Sequence, residues 1–329
     1  MKVSILLPVY NAEDYIGETL SSLISQTYRD LEILVIDDGS TDNSNKIIKD
    51  FAEEDNRVRL VEQKNEGLIS TLNKGLSLCK GEYIARMDAD DISFANRIER
   101  QVDFLDVHSE VGIVGSSVIL FGDDVSDSLS LKPENHELNL ANLLFAPCFA
   151  HPSVMIRKRL IEKHNFHYDL NYQHCEDYKL WVDMAFETKL ANISEPLVKY
   201  RQHPKQVSVE NNHISLENHF KISSIMFDRL GLSLNYVNFL SILGKTRSTN
   251  YNEIVAVFEE IIEKNSSLKV FEERALKKVI GERIDRLNEN IYGFLGYLKT
   301  KNSKISGLVS VKWYVLLMRT LKNIISSMR

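Results

Sequence analysis

The sequence predicts an α/β fold with a mainly parallel central sheet, followed by an α-helical C-terminal region. Short apolar runs alternate with helix-spaced apolar residues over about the first 120 residues. Polar side chains follow the end of each of the first four predicted strands, which is where ligands bind in such sheets. Beyond about residue 210 only helical spacing recurs.

The predicted strands are apolar runs, as is typical of parallel strands that are buried on both faces. In chain order they are Val3 to Leu7, Glu32 to Ile36, Val58 to Val61, Tyr83 to Met87 and Val111 to Phe121. Apolar residues three or four apart predict a helix after each of the first four strands. Asn11 is expected to cap the first of these helices. The helical stripes are Ile16, Leu20, Leu23 and Ile24; Ile47, Ile48 and Phe51; Leu68, Leu72 and Leu76; and Ile98, Val102 and Leu105. Because strands alternate with helices, the strands are expected to run parallel.

Composition excludes several classes of protein. The 329 residues are 43% hydrophobic and 26% charged, as in soluble globular proteins with one large domain or two ordinary ones. The net charge of -6 argues against general nucleic-acid binding. An odd number of cysteines without metal-site spacing suits a reducing cytoplasm. The first apolar run ends at Pro8 and is too short for a signal peptide. The sequence has no run of about 20 apolar residues, so no membrane span is predicted.

Polar residues at the strand ends predict one shared crevice. They are Tyr10 and Asn11, then Asp37 and Asp38, then Asn65, then Asp88 and Asp90. These four segments should converge, because parallel strands place their carboxyl ends along one edge of the sheet. A dinucleotide site is a poor fit, since the chain has Pro8-Val9-Tyr10-Asn11 where a glycine-rich phosphate loop is needed, and it has no Walker lysine motif. An anionic ligand here would therefore require a metal ion.

The acidic turn after the fourth predicted strand is the candidate metal site. Asp88 and Asp90 project to the same side of an extended backbone, with only the small Ala89 between them. A divalent cation holding a phosphate would relieve their repulsion, since Mg²⁺ and Mn²⁺ take oxygen ligands. The alternative is a solvated turn that caps a helix starting near Ser93. Asp91 is interpreted as a residue of that helix start.

Five motifs in order give the chain a resemblance to a known family. They are Pro8-Val9-Tyr10-Asn11-Ala12-Glu13, Ile36-Asp37-Asp38-Gly39-Ser40-Thr41-Asp42, Met87-Asp88-Ala89-Asp90-Asp91, His174-Cys175-Glu176-Asp177-Tyr178 with Leu180-Trp181, and Tyr200-Arg201-Gln202-His203 with Gln206 and Ser208. These motifs resemble the signature of the family 2 glycosyltransferases, inverting enzymes with the GT-A (nucleotide-diphospho-sugar transferase) fold. Bacterial capsular polysaccharide and lipooligosaccharide glycosyltransferases are the similar members. The likeness implies a catalytic domain over residues 1–210, and the helical spacing beyond it predicts a helical C-terminal region over 211–329.

The resemblance also implies roles for individual residues. Nucleotide-sugar binding is assigned to Pro8 and Tyr10 beside the base, Asp38 at the uracil ring, Asn65, and Asp88 near the ribose. Asp90 matches the direct ligand of Mn²⁺ or Mg²⁺, and Asp88 lies near the same ion. His203 either completes the metal shell or is a plain loop residue, and Asp37 is expected to be structural.

One position departs from the family's pattern. Many members have an arginine just before the asparagine of the helix that follows Gly67, whereas this chain has Leu72-Asn73. The change affects one expected contact to a phosphate or to the sugar. Arg86 either touches a phosphate or pairs with a neighbouring acid.

The acid pair Glu176-Asp177 begins a predicted helix with an apolar stripe. The resemblance implies that Asp177 is the general base for the acceptor hydroxyl, with Glu176 beside it in the catalytic site. The helix N-terminus should favour the charged form of Asp177. On the pair alone, capping of the first turn is the simpler interpretation. Trp181 is interpreted as core rather than as a sugar platform, and His151 as structural rather than as part of the acceptor side.

These roles predict a metal-assisted inverting glycosyltransferase that moves a sugar from a UDP-sugar to a hydroxyl of a glycan acceptor in bacterial surface polysaccharide synthesis. The resemblance favours UDP-GlcNAc, UDP-galactose or UDP-glucose as the donor and a lipid-linked acceptor. One alternative is a nucleotidyltransferase of similar fold, which the missing basic glycine-rich loop disfavours. The other is a non-catalytic sugar-nucleotide-binding protein, which the presence of Asp88, Asp90 and Asp177 disfavours.

The C-terminal region is predicted to be helical with a basic tail. Its apolar stripes are Ile222, Ile225, Met226 and Leu230; Ile254, Val257, Phe258 and Ile261; and Leu276, Val279, Ile280 and Ile284. From Ile291 to Arg329 the chain has basic residues and no acidic ones. Over about residues 305–329 this predicts an amphipathic helix suited to an anionic membrane surface, at the inner face of the cell membrane. The alternative is a packed helix or an oligomer interface.

Overall fold

The structure is a computed structural model that describes residues 1–122, 125–203, 212–246, 251–301 and 303–308. Backbone contacts divide the chain into two compact units. The first combines Met1–Asn139 with Pro147–His219, and the second combines Leu140–Ala146 with the described residues from Phe220 onward. The domain boundary expected at residue 210 stays a prediction.

A single sheet of nine strands organises the first unit, counting the described residues. The strands are β1 (Val3–Val9), β2 (Leu31–Asp37), β3 (Val58–Glu62), β4 (Tyr83–Arg86), β5 (Ile92–Ser93), β6 (Val111–Gly122), β7 (Val125–Ser130), β8 (Met155–Arg157) and β9 (Lys189–Arg201). They lie in the order β3-β2-β1-β4-β8-β6-β9-β5, with β7 paired to β6. Six run in one direction, and β5, β7 and β8 run against them. The predicted α/β fold with a mainly parallel sheet is confirmed.

Helices cover the sheet and make up the C-terminal region. Those up to residue 184 are α1 (Ile16–Ile24), α2 (Ser44–Glu54), α3 (Leu68–Leu78), α4 (Arg97–Val107), α5 (His136–Asn142), α6 (Lys158–His164) and α7 (Glu176–Met184). Those after residue 211 are α8 (Asn212–Asp228), α9 (Tyr236–Ile242), α10 (Tyr251–Leu268), α11 (Glu273–Leu287) and α12 (Gly293–Lys301), with a π-helical turn at Asn288–Tyr292. The predicted helical C-terminal region is confirmed.

The two central strands β1 and β2 are buried along their whole length. Val3, Ile5 and Leu7 share a core with apolar residues of α1 and α4. Leu6 points to the other face, towards α3, where a Cβ on Gly75 would come within 2.1 Å of Leu6 Cδ1. Because helices cover both faces, only the strand ends remain free to carry polar residues.

The segment from 122 to 135 differs from what its sequence predicts. Its polar composition predicts a surface loop, but Val125–Ser130 forms strand β7, antiparallel to β6. The side chains at 126–129 are exposed, so neither face of the strand is buried over these residues, and its sequence has no clear apolar alternation. Residues 123 and 124 lie outside the described residues.

The second unit has its own core. The rings of Phe227 and Phe258 each contact Phe145 edge-on, with centroids 6.1 Å apart. Ten of the twelve predicted stripe residues are buried: Ile222, Met226, Leu230, Ile254, Phe258, Ile261, Leu276, Val279, Ile280 and Ile284. Within the part of the chain that is described, no helix is both long enough and apolar enough to cross a bilayer. Residues 309–329, most of the predicted basic tail, lie outside the described residues, as do Gln206 and Ser208.

Candidate functional site

The loops after β2 and β3 are fastened together at the carboxyl edge of the sheet. Asp38, which is buried, accepts hydrogen bonds from Gln63 Nε2 at 2.6 Å and from the amides of Glu66 and Gly67 at 2.8 and 2.9 Å. Gly39 adopts a φ of +75°, and a Cβ there would lie 2.8 Å from the amide nitrogen of Asn65. A side chain at position 39 would therefore push the two loops apart. The carboxylate of Asp38 holds this junction, whatever else it contacts.

The other predicted nucleotide residues lie at the same edge. Tyr10 follows β1 and is 51% exposed, and Asn65 is exposed in the loop after β3. Pro8 is buried within β1, paired in register with Ile36, so it supports this edge from inside the strand. Asp37 accepts hydrogen bonds from the Ser40 amide and Asn45 Nδ2 at 3.0 and 2.7 Å, which fastens the turn after β2.

The acidic turn brings three carboxylates together. One oxygen from each of Asp88, Asp90 and Asp91 lies within 4.8 Å of the others. Asp88 and Asp90 are 28% exposed, whereas Asp91 is buried. The expectation that Asp91 starts a helix is wrong, because α4 begins only at Arg97 and Ser93 belongs to β5. The alternative of a solvated helix cap near Ser93 fails for the same reason.

The electrostatics of this turn fit a divalent cation. Burial raises the pKa of Asp91 well above its ordinary value, and Asp88 and Asp90 raise it further. Burial also raises the pKa of Asp88, although the guanidinium of Arg86, ion-paired to it, opposes the shift. Oδ2 of Asp91 is buried and makes no hydrogen bond within the described residues. Crowded carboxylate oxygens of this kind are ligands that Mg²⁺ and Mn²⁺ accept.

The end of β9 supports the turn from the other side. Nε2 of His203 lies 3.0 Å from Oδ2 of Asp90, which places this histidine at the acid cluster. Arg201 donates from Nε to the carbonyl of Asp90 and from its amide to Oδ1 of Asp91, both at 2.8 Å. The Arg201 guanidinium also pairs with Glu18 of α1. Arg201 thus fixes both the backbone and one side chain of the turn.

Replacement of Arg201 by methionine is expected to weaken Mn²⁺ binding by about 10- to 100-fold, the usual cost of losing a residue that orients metal ligands. The Asp90 carbonyl would lose its guanidinium partner, and the turn would lose its link to α1. Titration of Mn²⁺, followed by the electron paramagnetic resonance of the free ion, measures the change. Arg100→Met is the matched control, because Arg100 pairs with Glu195 at 3.1 Å away from the turn. Equal Mn²⁺ affinity in Arg201→Met and the wild type would contradict this role.

The acid pair lies at the start of α7. Glu176 is buried, and burial followed by the nearby Asp177 raises its pKa to about 7. Burial also raises the pKa of Asp177, although a 2.6 Å hydrogen bond from the Tyr178 amide to its Oδ1 opposes the shift. The helix start therefore does not lower the pKa of Asp177 below its ordinary value, contrary to expectation, because burial outweighs it. The preceding His174 has a φ of +64°, a strained backbone conformation of the kind found at functional sites.

Tyr168, which no sequence motif marks, centres a polar cluster near the acid pair. Asn73 of α3 exchanges two 2.8 Å hydrogen bonds with the backbone of Tyr168, whose hydroxyl lies 3.0 Å from Nε2 of His151. His151 thus has a structural partner. Trp181 is fully buried with its ring edge-on to His151, as expected of a core residue. No sequence signal marks Tyr168, because its partners are 95 and 17 residues away.

Lys132, which no sequence motif marks, lies in the segment after β7, close enough to Asp177 to interact with its charge. Burial lowers its pKa, and Cys148 and Asp177 oppose that shift. The proximity of Lys132 to Asp177 could not be predicted from the sequence, since 45 positions separate the two residues.

Comparison with known sequences identifies relatives of one kind. The family model described as "Glycosyl transferase family 2" matches residues 4–164. An uncharacterized glycosyltransferase of Haemophilus influenzae is 33% identical over 255 residues, which cover 73% of this chain and 79% of the relative. The O-antigen biosynthesis glycosyltransferase WbnJ of Escherichia coli is 32% identical over 207 residues, covering 62% of this chain and 80% of that protein.

Comparison with solved structures identifies the same fold. TarS 1–349 of S. aureus in complex with UDP-GlcNAc aligns with a TM-score of 0.59 at 19% identity, covering 92% of this chain and 87% of that one. The mannosyltransferase PcManGT of Pyrobaculum calidifontis, in complex with GDP-Man and Mn²⁺, aligns with a TM-score of 0.52 at 16% identity, covering 98% and 80%. At these identities the likeness is one of fold.

Proposed function

The chain belongs to glycosyltransferase family 2, and we propose that it transfers a sugar, with inversion, from a UDP-sugar to a hydroxyl of a glycan acceptor. The observation that carries the proposal is the electrostatic coupling of the acid pair to the acidic turn. Burial is the main cause of the raised pKa of Asp177 and the charge of Asp88 adds to it, so the two acids lie close enough to interact. The acidic turn suits the departing diphosphate, and the acid pair suits the attacking hydroxyl.

In this mechanism Asp177 accepts the proton of the acceptor hydroxyl as that oxygen attacks the sugar from the face opposite the diphosphate. Burial, followed by the charge of Asp177, raises the pKa of Glu176 to about 7, so the two neighbouring acids titrate as a pair. Asp90, Asp88 and His203 would hold Mn²⁺ or Mg²⁺, which supplies Lewis-acid stabilisation of the leaving diphosphate. Tyr10, Asn65 and the Asp38 junction would receive the nucleoside.

The proposed donor is UDP-GlcNAc, UDP-galactose or UDP-glucose, and the proposed pathway is synthesis of a bacterial surface polysaccharide on a lipid-linked acceptor. The UDP-GlcNAc complex of the structurally similar TarS supports a UDP-sugar, and the O-antigen role in the name of WbnJ supports the pathway. Within this proposal residues 1–210 form the catalytic domain, and the basic tail docks the enzyme onto the cytoplasmic face of the membrane.

A panel of nucleotide sugars with Mn²⁺ tests the function. We expect one of the three UDP-sugars to raise the melting temperature and to be hydrolysed slowly, releasing UDP and the free sugar. GDP-mannose belongs in the panel because PcManGT was solved with it. A nucleotidyltransferase would instead release pyrophosphate from a nucleoside triphosphate. If no nucleotide sugar stabilises the protein, the proposal fails.

A further inference from the structure

Arg86 has an unusual position for a charged residue. It is the last residue of β4 and lies on the same face of the strand as Asp88, two residues on. In the register of β1 with β4 it lies beside Leu6, which points towards α3. Neighbouring residues in register share a face of the sheet, so the Arg86 side chain lies on the face that α3 covers, at the carboxyl edge.

The guanidinium is buried and only partly satisfied. Its side chain is 4% exposed, whereas that of its ion-pair partner Asp88 is 28% exposed. Nε of Arg86 is buried and makes no hydrogen bond within the described residues. A guanidinium carries five N–H donors, and leaving one unpaired in the interior is costly. The arrangement makes sense if an anion from outside the chain accepts from this group.

The charge of Arg86 acts on acids in two separate loops. In Asp88 and Asp91 of the acidic turn, and in Glu176 and Asp177 of the acid pair, burial raises the pKa and Arg86 opposes the rise. The guanidinium, ion-paired to Asp88, is therefore also close enough to the proposed base to act on its charge. The bond broken during transfer joins the sugar to the second phosphate, and that bond must lie between these same two groups.

Helix α3 offers no cation on this face. Leu72 is fully buried against the sheet. Asn73 is occupied by the backbone of Tyr168. Lys74 is the single cation within α3, and it lies about 200° around the helix from Leu72, on the opposite side.

We propose that Arg86 binds the sugar-linked phosphate of the nucleotide-sugar donor, so that strand β4 provides the cation which α3 lacks. This inference rests on the proposed function, since it names the residue that contacts the donor's second phosphate. In the donor-free protein Asp88 holds the guanidinium in place. On donor binding the phosphate oxygens accept from the unpaired side of the fork, which is suited to two parallel hydrogen bonds.

The test compares the binding of UDP and UMP, because UMP lacks the second phosphate. With Mn²⁺ present, Arg86→Met is expected to weaken UDP binding by about tenfold or more and UMP binding by less than about threefold, as calorimetry can measure. Arg86→Lys should lose less UDP affinity, since it keeps the charge but not the fork. Arg59→Met is the matched control: Arg59 is also a strand arginine paired to a carboxylate, Glu32, at 3.1 Å, and its loss should leave the ratio of the two affinities unchanged.

A second readout separates a phosphate contact from a role in orienting Asp88. Mn²⁺ affinity measured without nucleotide should stay equal or rise in Arg86→Met, because a cation next to a metal ligand has been removed. A fall in Mn²⁺ affinity that matches the fall in UDP affinity would overturn the inference, and so would equal losses for UDP and UMP. If the wild type binds neither nucleotide, the proposed function fails as well. If the wild type binds UDP and both Arg86 variants bind it equally well, the inference alone fails.

Discussion

Replacement of Asp177 by asparagine is expected to abolish sugar transfer while leaving nucleotide binding intact. The amide has nearly the same shape and can still accept the hydrogen bond that the Tyr178 amide donates at 2.6 Å, so α7 should start as before. What the amide cannot do is take a proton from the acceptor hydroxyl. Loss of a general base costs about 10²- to 10⁴-fold in rate, which is large enough to be read without ambiguity.

The measurement has two parts, the rate of UDP release in the presence of acceptor and the calorimetric affinity for UDP with Mn²⁺. Asp183→Asn is the matched control, because Asp183 is an acid on the same helix whose carboxylate is paired with Lys179 at 2.6 Å. The control should turn over like the wild type. Wild-type-like turnover by Asp177→Asn would exclude Asp177 as the base, whereas a parallel loss of UDP affinity would indicate a binding role.

The pH dependence of the wild-type transfer rate is an independent test of Asp177 as the base. A base must be deprotonated to work, so the transfer rate should fall as the pH drops through the pKa of Asp177. That pKa is raised by burial, so the fall should come at a higher pH than an ordinary aspartate would give. Because Glu176 titrates beside it with a pKa of about 7, the measured midpoint belongs to the pair rather than to one residue.

The strand ends were predictable from the sequence because their signals are local. The apolar runs of β1 to β4 are interrupted by the polar residues that follow each strand, so periodicity locates the acidic turn within a few positions. A parallel sheet then brings those turns to one edge by topology alone. The convergence of these turns depends on no long-range contact beyond the sheet itself, and the fold confirms the parallel sheet.

The strands and contacts that the sequence did not reveal depend on distant partners. Strand β9 runs parallel to β6 across some 70 intervening positions, and its mixed sequence with Pro196 lacks a clean apolar pattern. The supporting contact of Arg201 with the acidic turn spans 110 positions. For the same reason Arg86 could be read either as a phosphate contact or as a partner of an acid. Only the fold shows that its side chain is buried against Asp88 and that its charge also acts on Asp177.

The carboxylates of the acidic turn repel one another in the metal-free protein, and this repulsion determines how a substitution at Asp90 should affect stability. Three carboxylates with oxygens within 4.8 Å of one another cannot all be charged without cost, and Asp91 already has a pKa raised by burial and by its two neighbours. Replacing Asp90 with asparagine removes one of the three charges. The folded protein without metal should therefore be as stable as the wild type or more stable, even though a proposed metal ligand is gone.

Asp90→Asn is accordingly expected to separate stability from ligand binding. Its melting temperature without ligands should equal or exceed that of the wild type, while the added stability from Mn²⁺ and UDP should disappear. For the wild type that added stability is about 2.7 kcal/mol when the free ligand is at 100 times its dissociation constant. Asp103→Asn, on the exposed side of α4, is the control and should keep the full ligand effect. If Asp90→Asn kept the added stability from Mn²⁺ and UDP, Asp90 would not be the metal ligand. If it melted at a lower temperature than the wild type without ligands, the three carboxylates would not destabilise the metal-free turn.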